Sequence, residues 1–160
     1  MIHTEPFRFF RDVYDVLFMN LRESDIEELE SFTGDSPQEA LSLLIQRHDV
    51  LRLIKDDYGR TLGIFGVVPS FEHSTQYKKV GEIFFLATDE LFEKYKPEFL
   101  RKAPRVLKKL LHVNDYDVVY NYTTTNNKKW LEFLGFDVYE TEVFFKNPRR
   151  PFYYFMLERS

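Results

Sequence analysis

The chain has 160 residues, 44% hydrophobic and 30% charged, with a formal net charge of −4 and no cysteine. That length suits one domain, residues 1–160, with a sizeable core, and the composition excludes a disordered or fibrous chain. The acidic balance gives no global electrostatic case for nucleic acid or anionic membranes, and the lack of cysteine excludes disulfides, thiolate metal sites and a cysteine nucleophile.

At the N-terminus, "MIHTEPFRFFRDVYD" sets Arg8 and Arg11 among phenylalanines, a poor signal peptide. No segment approaches the ~20 apolar residues that span a bilayer, so an intracellular protein is expected. "PFRFF" alternates as a first strand does. From Arg11, the apolar residues Val13, Val16, Leu17 and Leu21 follow helical spacing. Ser24 with Glu27 three residues on reads as a capping box leading into Ile26 and Leu29. "SPQEALSLLIQR" is a stronger helix, with Ser36 as cap, Pro37 at the first helical position and Glu39 reaching back. "VLRLIK" and "TLGIFGVVP" form two strands joined through Asp56-Asp57-Tyr58-Gly59-Arg60, where Gly59 suits a hairpin position of positive φ.

"VGEIFFLAT" is nearly continuous in apolar residues after Glu82, as a strand covered on both faces should be. Pro97 opens the next helix, with Leu100, Ala103, Val106, Leu107, Leu110 and Leu111 on one stripe and Pro104 implying a kink or a late start. "YDVVYNYT" is a further strand and "NNKKWLEFL" a short helix. Two strands at about 137–145 and 152–158 end the chain. A helix between two strong strands implies a right-handed parallel crossover within a mostly antiparallel sheet. The fold class is α/β (α+β), a central mixed sheet of about seven strands flanked by about four helices.

This order, and above all the helix–Gly-Phe–strand of "NNKKWLEFLGFDVYETEVFF", resembles the acetyltransferases of the GNAT superfamily over essentially the whole chain. A narrower resemblance rests on "LRESDIEEL", "LGIFGVVP", "FFLATDEL", "FLRKAPRVLKKLL", "YNYTTTNNKKWLEFLGF" and "RPFYYF". Taken together and in order, these blocks are similar to a GNAT-like family of tailed-phage proteins typified by the T7-type internal virion protein A. The resemblance implies that the fourth and fifth strands splay apart and that acyl-CoA lies in the gap. Its diphosphate would then sit on N–H groups at the following helix start, where unpaired donors and a positive dipole end meet.

Carried over residue by residue, the resemblance sets the cofactor along Leu86, Ala87 and Thr88, with Asn121 and Asn126 beside it. Arg101, Lys102 and Arg105 would lie near the helix start, as cations attracting the diphosphate. The chemistry departs from the family pattern at two points. Aligning Leu110-Leu111 with the family's Leu-Leu puts Ala103, Arg105 and Leu107 where small residues let phosphate approach. Leu131 stands where many members carry a tyrosine that protonates the departing thiolate, and leucine transfers no proton. Tyr120 or Tyr122 are candidate substitutes. Glu82 is a candidate general base acting through water; an exposed carboxylate before an apolar strand is the plainer reading. Asn121 equally suits a ligand contact or a backbone group in the splay.

The basic run on the 101–109 helix reads most simply as a solvated face. His3, His48, His73 and His112 lack metal-ligand spacing, so no metal is expected. Asn126 reads as the cap of the last helix. Trp130 and Phe133 should pack inward and Asn127, Lys128 and Lys129 face solvent; either Tyr153 or Tyr154 should point outward. Two functions fit. One is a phage protein with a degenerate acyl-CoA site, acting in virion morphogenesis or by binding a partner. The other is an active acetyl-CoA-dependent N-acetyltransferase of a protein or small amine. The expected partners are a phage or host protein, or a second copy of the chain, in the host cytoplasm or the virion; membrane and nucleic acid are not expected.

Overall fold

The computed structural model describes residues 1–14, 16, 20–33, 36–145 and 151–159. Seven strands form one sheet: β1 (His3–Pro6), β2 (Val50–Lys55), β3 (Thr61–Pro69), β4 (Val80–Ala87), β5 (Val118–Thr123), β6 (Asp137–Val143) and β7 (Phe152–Glu158). Their spatial order is β1-β2-β3-β4-β5-β7-β6. Only β4 and β5 run parallel; every other pairing is antiparallel. The helices are α1 (Glu23–Thr33), α2 (Pro37–Arg47), α3 (Asp89–Lys94), α4 (Lys96–Val113) and α5 (Lys128–Phe133).

Each face of the sheet is covered by helices for a reason visible in the strands. β4 alternates its apolar side chains between two cores. Phe84 and Leu86 meet Leu29 of α1 and Ala40 and Leu41 of α2 on one side. Ile83 meets Leu107, Leu110 and Leu111 of α4 on the other, with Leu131 of α5 and Phe155 of β7 in the same core. A strand buried on both faces can afford few polar residues, and Glu82 is the exposed exception. The β2–β3 turn is closed as its sequence suggests: Asp56 Oδ1 accepts from the amides of Tyr58 and Arg60, and Gly59 has φ +78°.

Several boundaries differ from the sequence reading. The first strand is His3–Pro6, not "PFRFF"; it is an edge strand set by pairing with Arg52–Lys55 rather than by alternating burial. Residues 10–13 form one turn of 3-10 helix, and Leu17 lies outside the described residues. α1 begins at Glu23, so Ser24 falls in its first turn instead of capping it. Ser36 does cap α2, accepting from the Glu39 amide. α3 is an additional short helix, and α4 runs unbroken through Pro104 from a start before Pro97. A 3-10 turn over Thr125–Asn127 moves the start of α5 to Lys128. That change of phase buries Asn127 and leaves Phe133 62% exposed, while Trp130 packs inward; Tyr153 and Tyr154 are both half-buried.

Close approach of β3 to its neighbours rests on Gly66. A Cβ there would collide with the Val50 carbonyl oxygen and come within 2.8 Å of the Phe84 ring. Because one obstacle is backbone, a side-chain shift gives no relief. Gly66→Ala is expected to destabilise the protein by about 1–3 kcal/mol, measured by urea unfolding.

Candidate ligand cavity at the strand splay

β4 and β5 are paired through only three residue couples, Val80–Val118, Gly81–Val119 and Glu82–Tyr120. Beyond them Asn121 ends the ladder. Its side-chain amide donates to the Ile83 carbonyl at 2.5 Å, and its side-chain oxygen accepts from the Tyr122 amide at 2.8 Å. The side chain thus takes the place of backbone partners, and the two strands diverge. A cavity of about 610 Å³ opens in the gap and reaches both faces of the sheet. Its walls are mostly apolar; Phe85, Phe99, Leu107 and Trp130 line the α4/α5 side. Phe85, Phe92, Phe99 and Trp130 form a quartet with ring centroids 5.3–6.1 Å apart.

The far end of β4, where Leu86, Ala87 and Thr88 were expected to meet a cofactor, is occupied by the chain itself. The Ala87 amide donates to Asp25 Oδ2 at 2.8 Å, and the Ala87 carbonyl accepts from the Arg22 amide at 3.0 Å. Arg22 forms a two-pronged pair with the Asp25 carboxylate, at 2.9 and 3.0 Å, and lies over the Phe92 ring. Both the amide and the hydroxyl of Thr88 donate to the Leu62 carbonyl, and Leu86 is a core residue that also lines the cavity. α3 follows at once, with Asp89 and Glu90 in its first turn. Carboxylates there already answer the helix dipole and would repel an anion.

The basic residues are likewise placed elsewhere than at a helix start. Arg101 and Arg105 fall in the second and third turns of α4, exposed, and are not among the described residues lining the cavity. Lys102 does line it, but its ammonium group donates to Glu98 at 2.6 Å and to the Ile2 carbonyl at 2.9 Å. Asn126 is exposed within the 3-10 turn.

Two of the three expected catalytic residues come together. The Tyr120 hydroxyl donates to Glu82 Oε1 at 3.1 Å and lies 3.4 Å from Ser70 Oγ. Burial, with the Glu82 charge beside it, pushes the Tyr120 hydroxyl up to about 12, so it stays protonated. Tyr122 lines the cavity and packs against Tyr120 and Tyr154. Leu131 and Leu107 are core residues, and neither offers proton chemistry or an open loop.

Glu28 is the residue the sequence reading missed. It projects from α1 into the cavity wall, and its Oε1 accepts from Thr123 Oγ1 at 2.9 Å, Asn127 Nδ2 at 3.1 Å and the Thr124 amide at 3.3 Å. Those bonds tie α1 to the end of β5 and the start of α5. Asn127 also accepts from the Trp130 indole at 2.9 Å, which joins the carboxyl to the aromatic quartet. Withdrawal from water, reinforced by the Asp25 charge, pushes Glu28 up to about 8. Burial raises Asp25 as well, opposed by Arg22 and the Ala87 amide. Arg22 bonds to Asp25 and not to Glu28, so it relieves the Asp25 carboxyl more directly. The one hint in the sequence is spacing: Asp25 and Glu28 fall at i and i+3 beside Leu29, on the inward side of α1.

Among the described residues no group of three or more His, Asp or Glu could hold a metal ion, and no helix is long and apolar enough to cross a membrane.

Solved structures share this architecture. A GNAT-family protein from Desulfovibrio desulfuricans superposes with a TM-score of 0.68 at 11% identity, covering 99% of each chain. Spermidine N-acetyltransferase from Vibrio cholerae, solved in complex with CoA and spermine, gives 0.65 at 16% identity over 99% of this chain and 95% of the other. A GNAT-family acetyltransferase from Streptococcus pneumoniae gives 0.63 at 11% identity over all of both chains. The fold is that of the GNAT acetyltransferases. No protein-family model and no curated protein matches the sequence.

These two carboxyl groups lead to two expectations. Asp25→Ala leaves the Arg22 guanidinium and the Ala87 amide without their carboxylate and should cost about 3–5 kcal/mol in urea unfolding. Glu28 has the opposite character. Its folded form holds a proton from its ordinary 4.5 up to about 8, so between those values the native state binds more protons than the unfolded one. Its contribution to stability therefore falls as pH rises through that window. Glu28→Gln keeps the acceptor for Thr123, Thr124 and Asn127, and should flatten this part of the stability–pH curve and raise stability above pH 8.

Proposed function

We propose that this chain is a phage-encoded GNAT-fold protein whose acyl-CoA site is degenerate, acting in virion morphogenesis or by binding a phage or host protein. The observation that carries the degenerate site is the sealed end of β4, where Asp25 and Arg22 take both backbone groups of Ala87. A diphosphate needs free amides at a helix start. Here Thr88 leads directly into a six-residue helix whose first turn bears two carboxylates. The phage setting is supported by the six sequence blocks similar to the T7-type internal virion protein A family.

A second reading is an active N-acetyltransferase, supported by the fold shared with the Vibrio cholerae spermidine N-acetyltransferase. The Glu82–Tyr120 pair at the cavity rim favours it, since a carboxylate and a protonated hydroxyl within 3.1 Å could serve as base and acid.

Acetyl-CoA binding separates the two. Calorimetric titration of the purified protein is expected to give no saturable heat up to millimolar acetyl-CoA and no rise in Tm. A ligand at a hundred times its Kd would add about 2.7 kcal/mol of stability, so a silent result is informative. Micromolar binding overturns the degenerate-site reading, and its loss in Arg105→Glu would assign the diphosphate to α4.

A further inference from the structure

The outer face of α4 departs from the way this chain arranges charge on its other helices. Lys94 pairs with Glu90 on α3, Lys128 with Glu132 on α5, and Lys102 with Glu98 on the edge of α4 itself, each one helical turn apart. That spacing, with the acid first, is the favourable arrangement. Along the outer row of α4 the same spacing joins like charges. Arg101, Arg105 and Lys109 follow one another at four-residue steps, with Lys108 beside them. All four are exposed, and among the described residues none has an ion-pair partner. They are also absent from the described residues lining the cavity. Like charges so placed destabilise a helix that stands alone.

We propose that this face of α4 docks an acidic helical segment of a partner protein, with Asp or Glu side chains on successive turns meeting Arg101, Arg105 and Lys109. Lys108 widens the row. Val113 continues it one turn past Lys109; at 68% exposed, it offers the partner an apolar contact at the end. Two helices packed side by side bring such rows together along their length, and opposite charges across the contact relieve the repulsion within α4.

The size of the row selects a short acidic segment over a long polyanion. From Arg101 to Lys109 it rises about 12 Å. Acids close both ends, Glu98 before it and Asp115 after it. The net charge of the chain is −4 in spite of this cluster, so the remaining surface is more acidic still. A nucleic acid running past the row would meet that charge, whereas a segment of three turns sets its carboxylates only where the cations are.

The inference rests on the partner-binding reading, and the sealed end of β4 plays no part in it. The probe is a capped peptide of about 20 residues repeating Glu-Ala-Ala-Ala, long enough to form helix and carrying a neutral fluorophore. Titrated with the full chain by anisotropy in about 50 mM salt, it should bind saturably, and about 500 mM salt should weaken binding tenfold or more. Arg105→Glu should weaken it about tenfold or more with an unchanged circular dichroism spectrum. Lys109→Gln, which removes a charge without adding an acid, should weaken it about threefold. Arg47→Glu makes the same charge change as Arg105→Glu at the last turn of α2, on the opposite face of the sheet, and should weaken binding by less than about twofold. A Lys-Ala-Ala-Ala peptide and a DNA duplex of about 20 base pairs should both bind more weakly than the acidic peptide. Absence of saturable binding, equal weakening by Arg105→Glu and Arg47→Glu, or tighter binding of the basic peptide or the duplex overturns the proposal. Self-association of the free chain in analytical ultracentrifugation that Arg105→Glu abolishes also overturns it, and assigns the row to a second copy. Acetyl-CoA binding that survives Arg105→Glu overturns the degenerate-site reading alone; acetyl-CoA binding lost in that variant gives the row to the diphosphate and overturns both.

Discussion

Asn121 controls where the parallel ladder between β4 and β5 stops. One side-chain amide satisfies the Ile83 carbonyl and the Tyr122 amide, so the strands part without leaving those groups bare. Everything of functional interest lies downstream of that parting. The gap admits the cavity, the cavity exposes Glu28, and the free end of β4 becomes available for whatever can bond it.

In this chain, what bonds it is the start of α1. Asp25 and Arg22 treat Ala87 as a strand partner would, and their charges cancel in a buried two-pronged pair. Such a pair contributes little to net stability against its cost of desolvation, but it fixes a position firmly, because either partner alone would be a buried charge. α1 is thereby held over the splay at the distance that brings Glu28 to Thr123, Thr124 and Asn127. Sealing the strand and aiming the carboxyl are consequences of the same few contacts.

The fold was legible because its strongest signals are long. β4 announces itself by an apolar run, α4 by a stripe from Leu100 to Leu111, and α2 by Ser36 and Pro37. α3 escaped notice because "DELFEK" is six residues with no room for periodicity, and β1 because an edge strand is defined by its neighbour. At the site, Glu82, Tyr120 and Asn121 were visible as polar residues interrupting apolar strands. Glu28 was hidden between Glu27 and Glu30 in a run of like residues, and Asn127 was misread because a 3-10 turn altered the helical phase. Local sequence carries no mark of what a distant strand end will press against a helix. Arg101 and Arg105 are placed away from a helix start for a related reason: with the unforeseen α3 in between, both fall well beyond the turn that follows β4.

The aromatic quartet has one more consequence. The chain contains a single tryptophan, and Trp130 stands in the cavity wall with Phe85, Phe92 and Phe99 around it and its indole N–H held by Asn127. Its emission is thus free of overlap from other indoles and sensitive to whatever enters the space or alters the bond to Asn127. The protein carries its own optical reporter of the splay, placed where an occupant would change both the polarity and the quenching around the ring.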